Sequence, residues 1–262
     1  MRWRPVTVSA LAVLTAVGFS SSLLAQNAAP PTAAAVSNTS NATKDPSSAR
    51  DFSGVWTQDR MSNSLTEKGT EAPLTAWGKA QLSANQPAHG NDQTLASTDP
   101  VHNCFPPGIP RLYFEPFPME IMQAPGRVVV VFEYDHFVRY INTDGRLHPA
   151  DLSATWMGNA IGHWDGDTLV VDTIGFNDKT WLDRVGHPHS DALHLIERLR
   201  RTDHDTLVDD ITIDDSKAYT KPWTAQRVFK LKPKWEIIEF VCEDTYLNFN
   251  DYQKKTVGGP VK

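Results

Sequence analysis

The stretch Gly175–Arg201, GFNDKTWLDRVGHPHSDALHLIERLRR, holds most of the side chains that could transfer protons or bind a metal. A histidine titrates near neutral pH and can act as a general base or acid when a carboxylate orients it. The candidate catalytic residues are His187, His189, His194, Asp183 and Asp191. The first interpretation is acid–base catalysis, with histidines as proton carriers and aspartates as the groups that orient them.

Aromatic and polar side chains in and around this stretch could form the walls of a binding site. Trp and Tyr rings offer flat apolar surfaces with a polar edge, which suit small ring-containing or chain-like molecules. The expected ligand-binding residues are Trp156, Asn177, Asp178, Trp181, Tyr219 and Trp223. Reactions that suit such a site are isomerisation, elimination, cyclisation and hydrolysis. A non-catalytic carrier of small apolar or aromatic molecules is the alternative, although a carrier needs few titratable groups.

His187, His189 and His194 permit a second alternative, a transition-metal site. The His-x-His pattern places two imidazoles on one side of an extended chain, and Asp191 has the same parity. Residues four apart on a straight strand lie roughly 13 Å apart, however, which is too far to share one ion. The chain would have to bend, for example at Pro188. We therefore expect no cofactor, with a metal as the alternative.

The elements that must position these residues are β-strands. Runs rich in Val, Ile, Tyr, Phe and Trp recur at regular spacing, and turn residues separate them. The candidate strands are Asp51–Thr57, Met119–Gln123, Arg127–Glu133, Phe137–Asn142, Thr155–His163, Thr168–Ile174, Ala192–Arg200, Leu207–Ile213, Thr224–Leu231 and Trp235–Cys242. Pro73–Gln86 predicts one short helix, capped by Thr75. The predicted fold class is all-β: an antiparallel up-and-down, lipocalin- or calycin-like β-barrel, or a strongly curved sheet.

In an up-and-down barrel the strand direction reverses at every connection, so alternate connections lie at the same end. Short turns would close one rim: 134–136, 164–167, 203–205 and 232–234. Long connections would build the opposite rim: Thr143–Ala154, Gly175–Asp191 and Asp214–Trp223. Sites in barrels usually lie at such an open mouth. We expect the candidate residues there, together with His148, on loops that bury little apolar area.

A proline-rich segment and two cysteines add a further constraint. Asp99 to Pro118 contains six prolines, so it is irregular and should wrap around the domain. The chain has two cysteines, Cys104 and Cys242. In an exported protein an even pair indicates one disulfide, here joining the proline-rich segment to the last core strand. Two unpaired thiols are the alternative.

Length, charge and the N-terminus bound the remaining possibilities. Of 262 residues, 1–25 read as a signal peptide, 26–50 as a disordered linker, 51–250 as a single β-barrel domain and 251–262 as a tail. An uncleaved N-terminal anchor is the alternative to the signal peptide. The net charge of −6, with scattered basic residues, argues against nucleic acid as a partner. We expect a secreted or periplasmic protein with a small-molecule ligand or substrate and no stable membrane insertion after signal cleavage.

Several long motifs carry a resemblance to known sequences. The chain contains DFSGVW, GHWDGDTLVVDTIGFND, TWLD and GHPHSDALHLIERLRR. With them it resembles a family of uncharacterised secreted bacterial proteins over roughly Asp51 to Tyr246. That resemblance supplies no catalytic residues. The Gly-x-Trp of the first strand and the series of strands are also similar to calycin-type barrels, which implies a fold that holds small molecules.

Overall fold

Nine β-strands close into a barrel, which confirms the all-β barrel fold class. The computed structural model describes residues 49–67, 69–87 and 97–243, so the expected signal peptide, residues 26–48 of the expected linker and the C-terminal tail lie outside the described residues. The strands are β1 (Gly54–Gln58), β2 (Met119–Ala124), β3 (Arg127–Phe132), β4 (Val138–Asn142), β5 (Asn159–Asp165), β6 (Thr168–Ile174), β7 (His194–Asp203), β8 (Thr206–Asp214) and β9 (Trp223–Leu231). Each strand neighbours the next, and β9 pairs with β1 to close the sheet.

Side chains alternate between the barrel interior and the outer surface. In β7, Leu195, Glu197 and Leu199 are buried, whereas Arg198 between them is exposed. This period of two is what a half-buried strand requires. By the same alternation His194, next to the buried Leu195, lies on the outer surface of the barrel.

One pair of neighbouring strands is parallel, because β4 and β5 run in the same direction. A closed barrel with an odd number of strands cannot be antiparallel throughout, so one such pair is required. The connection 143–158 must therefore cross from one end of the barrel to the other. The expectation that direction reverses at every connection is wrong here. The turn 133–137 consequently lies at the same end as the long connections, whereas Thr143–Ala154 starts at the opposite end.

The two ends of the barrel differ in the length of their connections. We call one the long-loop end, where the connections 59–118, 175–193 and 215–222 lie beside the short turn 133–137. The other is the tight-turn end, where the hairpins have loops of two residues: 125–126, 166–167 and 204–205. The expectation that Gly175–Asp191 and Asp214–Trp223 share one rim agrees with this arrangement.

Residues 235–242 do not form the tenth strand that the sequence suggests. Because β9 pairs with β1, the closed sheet has no free edge for them. Instead the segment packs through Phe240, whose ring centroid lies 4.3 Å from that of Phe117. Cys242 at its end forms the predicted disulfide with Cys104, 138 residues earlier. The disulfide is therefore confirmed, but it clamps an irregular segment rather than a core strand.

The proline-rich segment enters the barrel rather than wrapping around it. Residues 107–115 are buried, and they include the 3₁₀ helix Arg111–Phe114. Tyr113 reaches the interior, where its hydroxyl donates to Glu197 at 2.9 Å. Arg139 forms a buried ion pair with the same carboxylate.

Residues 107–115 are here called the barrel plug. The barrel interior around them is tightly filled. The cavity bounded by Trp56, Tyr113, Phe132 and Phe229 has a volume of about 10 Å³, which is room for about one water molecule. A ligand of the size that lipocalins carry does not fit at this position. Deeper in the interior, Asp209 is fully buried, and burial together with the nearby Glu197 carboxylate raises its pKa well above the ordinary value.

The predicted short helix is α1 (Ala76–Ala84). Thr75 caps it as expected, because its hydroxyl oxygen accepts from the Gly78 amide at 3.0 Å. Gly78 is also where the helix touches the connection 215–222. A Cβ at that position would lie 2.3 Å from the Ala218 carbonyl oxygen, so the close approach requires glycine.

Candidate active site

The connection 175–193 is packed into the long-loop end rather than extended into solvent. Most of residues 180–190 are buried. The expectation that these positions bury little is wrong because distant segments bind to them: the Asn85 side chain, just beyond α1, donates to the Gly186 carbonyl at 2.7 Å. The connection is therefore a framework that can hold side chains in fixed positions.

Asp183 and His187 form a buried pair within this framework. His187 Nδ1 lies 2.6 Å from Asp183 Oδ2, and the two side chains are 9% and 0% exposed. Three backbone amides also donate to the carboxylate, those of Leu65 (2.8 Å), Val185 (3.1 Å) and His187 itself (3.2 Å). These bonds fix the Asp183 carboxylate in one orientation.

The pairing determines which nitrogen of His187 carries the proton in the neutral ring. An ionised carboxylate can only accept hydrogen bonds, so His187 Nδ1–H donates to Asp183. The lone pair then lies on Nε2, which has no hydrogen bond to any described residue. His187 is one of the residues that line a pocket. An imidazole that a carboxylate orients in this way has the arrangement of a general base.

The pocket beside His187, here called the His187 pocket, has a volume of about 510 Å³. Sites for small molecules commonly span about 300–1,000 Å³. Its walls come from residues 64, 66, 70–72 and 74, from α1 and from Val185 beside His187. Lys79 of α1 contributes a positive charge and Leu82 an apolar surface. The pocket thus combines a base, a cation, the carboxylate of Glu71, hydroxyl groups and apolar contacts.

Ser64 lies close to the pair but does not complete a Ser-His-Asp triad. Its hydroxyl donates to Asp183 Oδ2 at 3.4 Å and contacts the Thr66 hydroxyl at 2.9 Å. A triad requires the serine hydroxyl to donate to the histidine. Ser64 therefore supports the orientation of Asp183 instead of acting as a nucleophile activated by His187.

Arg111 of the barrel plug holds the backbone of Asp183. Its Nη1 donates to the Asp183 carbonyl at 2.7 Å. The same guanidinium binds Glu115 through Nε (2.7 Å) and Asp99 through Nη2 (2.8 Å). Burial lowers the pKa of Arg111, but the two carboxylates outweigh burial and raise it above the ordinary value. The plug and the candidate site are thereby connected.

Two of the predicted aromatic residues lie beside His187. The Trp223 and His187 ring centroids are 6.1 Å apart, and those of Trp223 and Tyr219 are 5.3 Å apart. The Tyr219 hydroxyl donates to the Pro188 carbonyl at 2.8 Å, so its role is to fix the loop. Trp223 Nε1–H is buried and has no partner in the part of the chain that the structure describes. It also lines an adjoining pocket of about 640 Å³.

His189 does not join His187 in the same pocket. It lines a second pocket of about 250 Å³, here called the His189 pocket, together with the predicted residues Trp181 and Asp178. Its Nε2 lies 2.6 Å from the Thr180 hydroxyl oxygen. Burial lowers the pKa of His189. Asp191, one of the carboxylates that the sequence suggests as orienting groups, is exposed and has no hydrogen bond to His189.

His194 and His148 lie on the outer surface of the barrel, away from both pockets. Both Nε2 atoms are near Asp172 Oδ1, at 3.0 Å and 3.1 Å. His148 Nδ1 also lies 2.8 Å from Asn159 Oδ1. The prediction that His194 joins the catalytic cluster is therefore wrong, because strand alternation directs its side chain outward. The expectation that His148 lies at the same mouth is also wrong, because its ring lies beside Asp172 on the outer surface.

The three histidines of the metal hypothesis are not assembled around one point. His187 binds Asp183, His189 contacts Thr180, and His194 binds Asp172. Within the described ranges, no group of three or more His, Cys, Asp or Glu side chains is arranged to hold a metal ion.

The remaining predicted binding residues form an outer layer near the His189 pocket. The Trp156 ring stacks on Phe105, with centroids 5.8 Å apart, and Lys179 Nζ lies 5.9 Å from the Trp156 centroid. Asn177 Oδ1 accepts from the Lys179 amide at 3.1 Å, which shapes the turn. Lys179 itself lines the His189 pocket.

Four residues of the site carry no local signal in the sequence that marks them as functional. Lys79, Ser64 and Arg111 come from segments far from residues 175–201, and only folding brings them near His187. Thr180 lies within the stretch, but threonine is common there and nothing in the spacing distinguishes it.

Comparisons with known proteins do not assign the site. No protein-family model, no curated protein and no solved structure matches the chain. Among the described residues, no helix is long and apolar enough to cross a membrane.

Proposed function

We propose that the protein is an acid–base enzyme that acts on a small molecule in the His187 pocket, in the isomerase, lyase, cyclase or hydrolase class. The observation that carries this proposal is the Asp183–His187 pair, 2.6 Å apart, in which Nε2 of His187 has no hydrogen-bond partner among the described residues and His187 lines a pocket of about 510 Å³. Bases oriented in this way contribute about 10²–10⁴-fold to rates.

The residues around the pocket suit proton transfer. His187 Nε2 accepts a proton from a carbon acid or from water, and the Asp183 carboxylate stabilises the imidazolium that forms. Negative charge that develops on the substrate, for example on an enolate oxygen, is favoured by the Lys79 ammonium in the same pocket. The side chains of Leu82 and Val185 offer contacts for an apolar part of the substrate.

The filled interior favours this proposal over a lipocalin-like carrier. A carrier of that kind holds its ligand inside the barrel, whereas the cavity beside Tyr113 measures about 10 Å³. The Cys104–Cys242 disulfide supports export to an oxidising compartment, in agreement with secretion or a periplasmic location.

Two substrate panels test the proposal. Small ketones, aldehydes and acids in D₂O report proton abstraction as loss of α-proton signals in NMR spectra, and small esters and lactones report hydrolysis. At least one compound should react, and His187→Ala should slow that reaction about 10²–10⁴-fold. His204→Ala is the matched control, because His204 also contacts an aspartate at 2.6 Å but lies exposed at the tight-turn end.

The control should keep the wild-type rate. Two results would overturn the proposal: loss of α-proton signals that continues at the wild-type rate in folded His187→Ala protein, or no wild-type turnover above that of the variant in either panel.

A further inference from the structure

The His189 pocket contains a second arrangement with catalytic geometry, formed by Thr180 and His189. Both residues line the pocket, whose volume is about 250 Å³. Thr180 Oγ1 lies 2.6 Å from His189 Nε2. The residues are 6% and 3% exposed, so this contact is shielded from bulk water. It is independent of the Asp183–His187 pair.

The direction of the Thr180–His189 hydrogen bond follows from the other ring nitrogen. His189 Nδ1 lies 3.0 Å from the Ser190 carbonyl oxygen, which can only accept. Nδ1 therefore carries the proton, and in the neutral ring Nε2 has the lone pair. The Thr180 hydroxyl must then donate to Nε2. A hydroxyl that donates to a histidine, which a third group orients, is the arrangement of an activated nucleophile.

The orienting carbonyl is held rigidly. Ser190 is fully buried; its amide donates to Asp215 Oδ2 at 2.5 Å and its hydroxyl to Asp215 Oδ1 at 2.9 Å. Burial lowers the pKa of His189, and the charges of Asp215 and Asp178 oppose this without reversing it. The ring is thus neutral and able to accept a proton at pH 7.

The rest of the pocket suits a small ring-containing molecule that bears a negative charge. Trp77 and Trp181 contribute aromatic surfaces. Lys179 and Lys217 contribute two positive charges, and Asp178 is the acidic side chain among the lining residues. An aryl ester with an anionic acyl group would fit these walls: its ring would contact the two tryptophans, and its negative charge would lie near the two lysines.

We propose that Thr180 is a nucleophile that accepts the acyl group of a small carboxylic ester bound in the His189 pocket. Thr180 Oγ1 attacks the carbonyl carbon while its proton passes to His189 Nε2, and the carbonyl electron pair moves onto oxygen. When that pair returns, the bond to the leaving oxygen breaks, and the leaving group takes the proton from Nε2. Water, activated by the neutral His189, then hydrolyses the Thr180 ester.

Acylation with 4-nitrophenyl acetate and with its anionic analogue 4-nitrophenyl hydrogen succinate tests this proposal. The full chain should release a burst of about one nitrophenolate per protein, faster with the succinate. Intact-mass and peptide analysis should place one acyl group on Thr180. Hydroxylamine should remove the group, because it cleaves esters but not amides formed on Lys179 or Lys217.

Variants and pH add two further readouts. Thr180→Val should lose the burst and Thr180→Ser should keep it. Thr206→Ala is the control that should keep it, since Thr206 is another buried threonine, bonded to Lys230 at 2.6 Å. The burst rate should fall only below about pH 6.5, the ordinary histidine value, since the pKa of His189 is lowered.

Should the threonine variants fail to fold, the wild-type protein still decides the question. An ester adduct that maps to Thr180 supports the proposal. An adduct on lysine, an adduct elsewhere, or no adduct with either probe overturns it.

Discussion

The protein has a histidine–aspartate pair at each end of its barrel, and their distances are the same. His187 and Asp183 at the long-loop end are 2.6 Å apart, as are His204 and Asp205 in the hairpin at the tight-turn end. The first pair is 9% and 0% exposed, the second 63% and 61%. A short contact between these residue types therefore does not by itself identify a site.

The two pairs differ in the residues that surround them. Asp183 accepts from three backbone amides, and Arg111 holds its carbonyl, so the orientation of His187 is set by three separate chain segments. The hairpin 204–205 has a two-residue loop and contributes to none of the three pockets described above. In water an exposed pair of this kind contributes about 0–1 kcal/mol and reorients freely. The comparison suggests that length of connection, rather than residue type, decides where chemistry is possible.

The largest expected effect is on stability when the aspartate of each pair is removed. Asp183→Ala leaves the His187 ring and three backbone amides without their acceptor, so the free energy of unfolding should fall by about 3–5 kcal/mol. Asp205→Ala should change it by no more than about 0.5 kcal/mol, as is usual for exposed positions. Urea unfolding of both variants measures the difference. Equal losses would mean that the two pairs are equivalent and that the comparison is wrong.

A smaller effect concerns the pH dependence of stability at the long-loop end. Burial lowers the pKa of His189 in the folded protein, so the unfolded chain, with an ordinary value of about 6.5, binds the proton first. Stability from the neutral ring is fully present above about pH 6.5 and is lost as pH falls towards the folded pKa. The slope is at most about 1.4 kcal/mol per pH unit. Urea unfolding from pH 7.5 to 5 should show this loss in wild type but not in His189→Gln, and parallel curves would contradict it.

The smallest effect concerns the helix that covers both pockets. Residues of α1 line the His187 pocket (Lys79, Leu82) and the His189 pocket (Trp77, Gln81). Removing the cap with Thr75→Ala should cost about 1 kcal/mol. Amide hydrogen exchange should become faster in α1 but not in the hairpins of the tight-turn end. Faster exchange throughout the barrel would show that α1 is part of the folding core and not a local cover.

Local patterns in the sequence were sufficient for much of the fold. The run of β-branched residues in β6 predicts a strand over the same residues, Thr168–Ile174, that the structure gives. The Thr75 cap is equally local, because it depends on one hydroxyl and the amide three residues later. The failures are non-local. Whether 235–242 pairs depends on β1 already occupying the edge of β9, and the parallel pair depends on the total number of strands.

The candidate site also contains some residues that local sequence patterns predict and others that only the fold brings together. Asp183 and His187 belong to the predicted cluster, and their spacing of four residues in a compact loop allows the contact. The outward position of His194 was readable too, since Leu195, Glu197 and Leu199 alternate as an inward-facing set. The positions of Lys79 and Arg111 were not readable, because they depend on how α1 and the barrel plug pack against residues 180–190.

The central claim is tested most directly by the protonation of the His187 and His204 rings. Nitrogen-15 NMR of ring-labelled protein at a pH of about 9, where imidazoles are ordinarily neutral, distinguishes protonated from unprotonated ring nitrogens. His187 should show one fixed form, with Nδ1 protonated towards Asp183 and the lone pair on Nε2, whereas His204 should show a solvent-averaged mixture. A mixture at His187, or a proton on its Nε2, would contradict the assignment of His187 as a base oriented by Asp183.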